Sequence, residues 1–245
     1  MLGIRWTIGD ANPRGFTALR LSVWGAWRLF GPAVRYRIYV HTTTIDDARA
    51  RTGPLPADIE WERILPAVPP CLLDHVDART AHGIAWRLLP VRAYPDDHEL
   101  ALDNHVVLWA VPQAIEDWLR GRTRFVLAED VRGWFGRFRD VCGERPLSPA
   151  VRGLPPGFDL GAAIESLLVA RPTPIRSELD VQGLQAAAIA SSGSTGIVGL
   201  DDVTICSPFP SAGQLGRSGA HFVGLDVHAD HWDHQIAEVA KRVGV

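Results

Sequence analysis

Lysine is nearly missing from this chain: Lys241 is the only one, and arginine supplies the rest of the positive charge. Arginine suits bidentate contacts with phosphate, although a GC-rich genome explains the same bias without any ligand. Cysteine is scarce too. Cys71, Cys142 and Cys206 are odd in number and lack paired spacing, which fits buried free thiols in a reducing compartment better than a disulfide framework or a zinc ribbon. No run approaches the roughly 18 uninterrupted apolar residues of a membrane span. The first residues lack a basic stretch followed by a long apolar one, so no signal peptide is expected and the cytoplasm is the expected address. An excess of basic charge is also lacking. The net charge of −3 argues against nucleic acid as a partner, because phosphate-backbone binding needs a basic face.

What remains is an ordinary globular composition, 47% apolar and 22% charged over 245 residues, enough for one sizeable domain. Strand and helix patterns alternate in the first half. Gly3 to Ile8 reads as a strand, and Phe16, Leu19, Val23, Ala26, Trp27 and Phe30 recur at helical spacing until Gly31-Pro32. Arg35 to His41 alternates as a strand and Ile45 to Arg51 is helix-compatible. Gly83 to Leu89, Glu99 to Leu102 and Thr123 to Ala128 read as further strands, with a short helix over Pro112 to Arg120. This order predicts an α/β domain with a mostly parallel sheet flanked by helices.

From Glu144 onward Pro146, Pro149, Pro155, Pro156, Pro172 and Pro174 break the pattern. Helices are expected over Leu160 to Ala170 and Val181 to Ala190, with loops at Ser191 to Gly196 and Ser207 to Gly219. Trp232, Ile236, Val239 and Val243 mark a terminal helix. No repeat and no long linker divides the chain, so residues 1–245 read as a single domain in two parts, 1–143 and 144–245.

In sheets of this kind ligands collect beyond the carboxyl ends of the strands, and Asp10, Asp103 and Glu129-Asp130 all fall at such ends. For Glu129-Asp130 the preferred reading is helix capping. Asp103-Asn104-His105 interrupts two apolar strand segments. Its carboxylate can hold a hard cation such as Mg²⁺ or Mn²⁺, with His105 on the same face, or the tripeptide is only a polar turn. His221 interrupts the apolar run Ala220 to Leu225 and is either a core histidine or a ligand, and Gly224 permits close approach of another group. Asp180 and Gln182 open a helix, where they either cap it or orient a sugar. A rival cluster, His228, Asp230, His231 and His234, has i,i+3 histidines but no familiar zinc spacing. It reads as a solvated helix start, with a metalloprotein as a distant alternative.

The order of these motifs resembles the GT-A superfamily of glycosyltransferases, in particular retaining nucleotide-sugar-dependent enzymes of the glycogenin and lipopolysaccharide galactosyltransferase kind. The matching pieces are Trp6 to Asp10, Arg35 to His41, Glu99 to His105, Gly153 to Asp159, Asp180 to Leu184 and Gly219 to Gly224. The resemblance implies a Rossmann-like α/β fold whose first part binds the nucleotide and whose C-terminal segment closes the donor site. It implies Asp103 as the first acid of an Asp-x-Asp motif holding Mn²⁺ or Mg²⁺, His105 at the second acid, and His221 as a late histidine ligand. Thr7, Ile8, Gly9 and Asp10 would lie under the base, with Asn104 and Gly224 beside the donor. Asp180 and Gln182 would be the catalytic-side acid and amide near the transferring sugar.

Three positions depart from the pattern: His105 replaces an acid, Ser148-Pro149-Ala150 stands where Asn-Ser-Gly is expected, and Val181 replaces the middle acid of an Asp-Glu-Gln. The expected function is hexosyl transfer from a nucleotide-diphosphate sugar such as a UDP-sugar to an acceptor hydroxyl on a glycan, lipid or small molecule. The alternative is a catalytically impaired relative that binds nucleotide sugar or a protein partner.

Overall fold

The computed structural model describes residues 1–65, 68–77, 85–206, 215–225 and 229–245. Strand β1 (Leu2–Ile8) is buried along most of its length, as a parallel strand covered on both faces must be. Helix α1 (Pro13–Phe30) follows, capped by Asn12, whose side chain accepts from the Gly15 N–H at 2.9 Å, with Pro13 in the first turn. Then come β2 (Arg35–Val40), α2 (Ile45–Thr52) and β3 (Ile59–Arg63). The central stretch holds β4 (His98–Leu102), β5 (Val106–Leu108), α3 (Gln113–Leu119), β6 (Phe125–Glu129), the short α4 (Arg139–Cys142) and β7 (Leu147–Leu154). The last part holds α5 (Leu160–Ala170), α6 (Glu178–Ala190), β8 (Thr195–Val198), β9 (Val203–Cys206), β10 (Gly219–Phe222) and α7 (Ala229–Val243).

Seven strands form the main sheet in the order β3-β2-β1-β4-β7-β6-β8. β1 to β4 run parallel within it, β7 runs antiparallel between β4 and β6, and β8 is parallel to β6. A small sheet, β5-β10-β9, stands beside it. The even residues of β1 (Ile4, Trp6, Ile8) pack with Phe16, Leu19 and Val23 of α1, while Leu127, Leu154, Leu184 and Ile189 form a second core that seats α6. A third cluster ties Trp232 and Val239 of α7 to Ala220 and Phe222 of β10. Strand β5 lies directly on α1. A Cβ on Gly25 would stand 2.2 Å from the Leu108 carbonyl oxygen, so only glycine permits this approach.

The mixed, mostly parallel sheet flanked by helices matches the predicted fold class, and the three cysteines are free thiols, two of them buried. Several elements differ from the sequence reading. Ala85–Leu88 is a 3-10 turn and not part of a strand, and Gly83-Ile84 lies outside the described residues. β3 shows alternation only weakly because it is an edge strand with Ile59 as its sole buried residue. β7 forms despite Pro149. The ladder to β6 shifts register between Leu127 and Ala128, so the missing proline N–H falls in a bulge. Thr195 and Gly196 belong to β8 and not to a loop, and most of the loop expected over 207–219 lies outside the described residues.

Candidate functional site

β1 and β4 are parallel neighbours, so their carboxyl ends open on one edge, beside the start of α1. There a cavity of about 1100 Å³ is walled by β1, β4, β7, α6 and β10. Asp103 follows β4 and opens a tight turn in which the Val106 N–H donates to its carbonyl at 3.0 Å. That turn delivers His105 to the head of β5. β5 and β10 pair antiparallel with Val106 opposite His221, and the Phe222 N–H donates to the His105 carbonyl at 3.0 Å. The ladder sets the two imidazoles face to face, their centroids 4.9 Å apart and their planes within 7°.

Ligand atoms of Asp103, His105 and His221 all lie within 4.8 Å of one another, the only such group of three or more His, Cys, Asp or Glu side chains among the described residues. His221 is buried. His105 keeps part of its surface open, but its Nδ1 is enclosed, and neither this atom nor His221 Nε2 has a hydrogen-bond partner among the described residues. Burial lowers the His105 pKa against the pull of Asp103; for His221, burial and then the neighbouring His105 push it to about 3. Both rings are therefore neutral at pH 7, the form that ligates metal. Buried polar atoms are normally satisfied, and two imidazole nitrogens without a hydrogen-bond partner among the described residues, beside the exposed Asp103 carboxylate, suit a divalent cation.

Thr7, Ile8, Gly9, Asp10, Asn104, Gln182 and Gly224 line the same cavity. Asp10 is held at its rim, accepting from Arg51 Nη1 at 2.8 Å while its own N–H donates to Thr42 Oγ1 at 2.7 Å. Asn104 donates to the Gly15 carbonyl at 3.4 Å, which ties the tripeptide to α1. Gly224 has φ of 71°, a left-handed conformation that glycine adopts without strain.

Asp180 is placed differently from these residues. It is buried, does not line the cavity, and its carboxylate accepts from the backbone N–H groups of Arg137, Arg176 and Ser177 at 2.8, 2.9 and 3.0 Å. With Ser177 it forms the capping box of α6, so the capping reading describes its placement. Of the rival cluster, His228 and the side chain of His231 lie outside the described residues. Asp233 pairs with Arg14 at 2.7 Å, and His234 Nδ1 sits 2.6 Å from the Asp230 carbonyl oxygen.

Among the cavity residues that escaped the sequence reading are Arg5, Arg152, Gln185 and Arg87. Arg5 and Arg152 are buried and converge on Glu99, at 3.1 and 3.7 Å. Arg87 pairs with Glu178. Asp130, set aside as a cap, also reaches the cavity. Burial raises its pKa, and its carboxylate accepts from the Val131 N–H at 2.7 Å.

The fold is similar to that of the galactosyltransferase LgtC solved with donor and acceptor sugar analogues, with a TM-score of 0.63 and 12% identity over 99% of this chain and 95% of that one. An active-site mutant of LgtC gives 0.62 and 11% over 99% and 95%. Mouse xyloside xylosyltransferase 1 in its apo form gives 0.61 and 10% over 91% and 98%. No protein-family model and no curated protein matches the chain by sequence. At these identities the likeness establishes the fold alone, a mixed, mostly parallel sheet flanked by helices that these glycosyltransferases share.

Proposed function

We propose that this chain transfers a sugar from a nucleoside-diphosphate sugar to an acceptor hydroxyl, with a divalent cation bound by Asp103, His105 and His221. The observation that carries the reading is the convergence of two orphaned neutral imidazoles and one carboxylate at the open strand edge of a GT-A fold. A cation there, Mn²⁺ or Mg²⁺ in the resemblance, supplies charge neutralisation for a departing diphosphate.

The remaining roles belong to the chain itself. Thr7 and Ile8 at the end of β1, with Gly9 and Asp10 after it, line the cavity where they suit a nucleotide base such as that of UDP, and Asn104 holds the Asp103 turn against α1. Gly224 leaves room for phosphate oxygens near the backbone. Gln182 stands at the cavity wall, where its amide can orient a sugar hydroxyl. The acceptor, a glycan, lipid or small molecule, would enter from the open side of the cavity. Among the described residues no helix is long and apolar enough to cross a membrane.

A second reading, a nucleotide-sugar-binding protein without transfer activity, is favoured by the turning away of Asp180 and by Val181 in place of an acid. Both readings are tested by melting curves with UDP, GDP and their sugars, with and without Mn²⁺, since a ligand of the native state raises the melting temperature. A shift followed by donor turnover supports transfer. A shift without turnover supports the second reading, and no shift with any nucleotide removes both.

A further inference from the structure

We propose that the cavity selects a sugar bearing a carboxylate, recognised by Arg152 with Arg5 beside it; this rests on the glycosyl-transfer reading of the cavity. Arg5, Ala101 and Arg152 are register partners across β1, β4 and β7, so two guanidinium side chains flank a single alanine. Glu99 is the carboxylate that faces them. Its Oε1 lies 3.1 Å from Arg5 Nε and 3.7 Å from Arg152 Nη2, and its Oε2 accepts from the Ala93 and Tyr94 N–H groups at 2.6 and 2.8 Å. A third guanidinium, Arg92, stands 3.5 Å from Oε2 and is otherwise occupied by backbone carbonyls, among them those of Phe158 and Asp97 at 2.8 Å. Within this buried cluster three guanidinium groups face one carboxylate, so its positive charge exceeds its negative charge.

Arg152 is only 3% exposed. Its Nη1 donates to Gln185 Oε1, but Nε and Nη2 have no hydrogen-bond partner among the described residues. Burial, reinforced by Arg5, pushes its pKa down to about 9, so even here the guanidinium is charged at pH 7. A buried, charged, incompletely bonded side chain is costly unless something else completes it. An anion entering the cavity does so, and the planar guanidinium fork matches a carboxylate.

The diphosphate is not that anion in the proposed arrangement, because it belongs at Asp103. Ala101, between the two arginines, lies two residues back along β4, about 6.6 Å at strand spacing. That displacement is of the order of a sugar ring, which places the acid on a sugar and not on the phosphates.

The carboxylate can come from the donor sugar or from the acceptor, and binding measurements on the whole chain separate the two. UDP-glucose is compared with UDP-glucuronate, GDP-mannose with GDP-mannuronate, and, with UDP present, methyl glucoside with methyl glucuronide. The acidic member of at least one pair is expected to bind on the order of tenfold tighter, an advantage of about 1.4 kcal/mol. Arg152→Leu should abolish that ratio while leaving UDP or GDP affinity unchanged, and Arg152→Lys should keep part of it. The melting temperature of unliganded Arg152→Leu should not fall, because the variant removes an unbalanced charge and leaves Glu99 paired with Arg5.

Nucleotide binding without acid preference in any pair overturns the carboxylate proposal alone. Failure of every nucleotide to bind removes the glycosyl-transfer reading and this one with it. A preference that survives in Arg152→Leu, or a lowered melting temperature in that variant with no acid preference in the wild type, shows Arg152 to be structural and also overturns it.

Discussion

The Asp103–His105–His221 group and the Arg5–Glu99–Arg152 group meet at one cavity, and both keep polar atoms from water with different chemistry. The imidazoles escape the cost of burial by staying neutral, which leaves an unshared electron pair on one nitrogen of each ring, and each ring has one enclosed nitrogen without a partner among the described residues. Guanidinium has no such escape, so the second group keeps charge and unfilled N–H donors. In the proposed arrangement the first group therefore takes a cation and the second an anion. Two buried deficits of opposite kind, side by side, describe the polarity of the proposed ligand better than either group alone.

The comparison breaks most severely at Glu99. Removing one partner of a buried charge cluster is worth about 3–5 kcal/mol, so Glu99→Gln should lose stability on that scale in chemical denaturation, with Arg5 and Arg152 left unbalanced. Burial by itself would raise the Glu99 pKa, but Arg5, Arg152 and the Tyr94 and Ala93 N–H groups together hold it below the ordinary 4.5. A carboxylate whose folded pKa is depressed contributes stability above its unfolded value and loses it as pH falls through the folded one. Wild-type stability should thus drop as pH falls below about 4.5, and Glu99→Gln should flatten that limb. An unchanged acid limb in the variant would show that Glu99 is not its source.

Asp103→Ala comes next. It should erase the cation-dependent rise in melting temperature and slow transfer by roughly 10²–10³-fold, the scale for losing one main electrostatic contact to a leaving group. Arg152→Leu should leave that cation-dependent rise intact. If both variants abolish it, the two groups act as one site and the division between them fails.

A smaller effect is expected at His105. Two imidazoles and one carboxylate favour Zn²⁺, Co²⁺ or Ni²⁺ over Mg²⁺, whereas two carboxylates and one imidazole move the preference toward harder ions. His105→Asp should shift relative affinity toward Mn²⁺ and Mg²⁺ by on the order of tenfold, read from melting curves at matched ion concentrations. An unchanged order of ions would remove His105 from the ligand set.

The two groups also differ in how far the sequence disclosed them. Asp103, His105 and His221 interrupt apolar runs, and a polar residue in such a run invites a functional reading. Arg5 does not stand out, because Gly3-Ile-Arg-Trp-Thr-Ile8 has the alternation of a strand with one wet face, and Glu99 sits in a similar stretch. Arg152 follows Pro149 in a segment whose prolines suggest irregular chain. Only strand order reveals the cluster: β7 inserts antiparallel beside β4, and that long-range pairing has no local signature. The central fold was legible for the opposite reason, since βα alternation is local. Edge strand β3 escaped because its burial is partial, and β7 because Pro149 and the bulge break its pattern although nearly all of it is buried.

Asp180 gives the smallest effect and the cleanest separation of scaffold from site. Its carboxylate serves three backbone N–H groups at the start of α6, whereas Gln182, two residues on, faces the cavity. Losing a helix cap costs about 1 kcal/mol and at most about 2, and in a chain of this size each kcal/mol lowers the melting temperature by roughly 2–4 °C. Asp180→Ala should show that loss and keep nucleotide-sugar affinity, while Gln182→Ala should keep stability and weaken sugar-dependent binding. Should Asp180→Ala instead melt like the wild type and lose turnover, the carboxylate would have to leave its cap during the reaction. α6 would then be a moving part of the site and not its fixed wall.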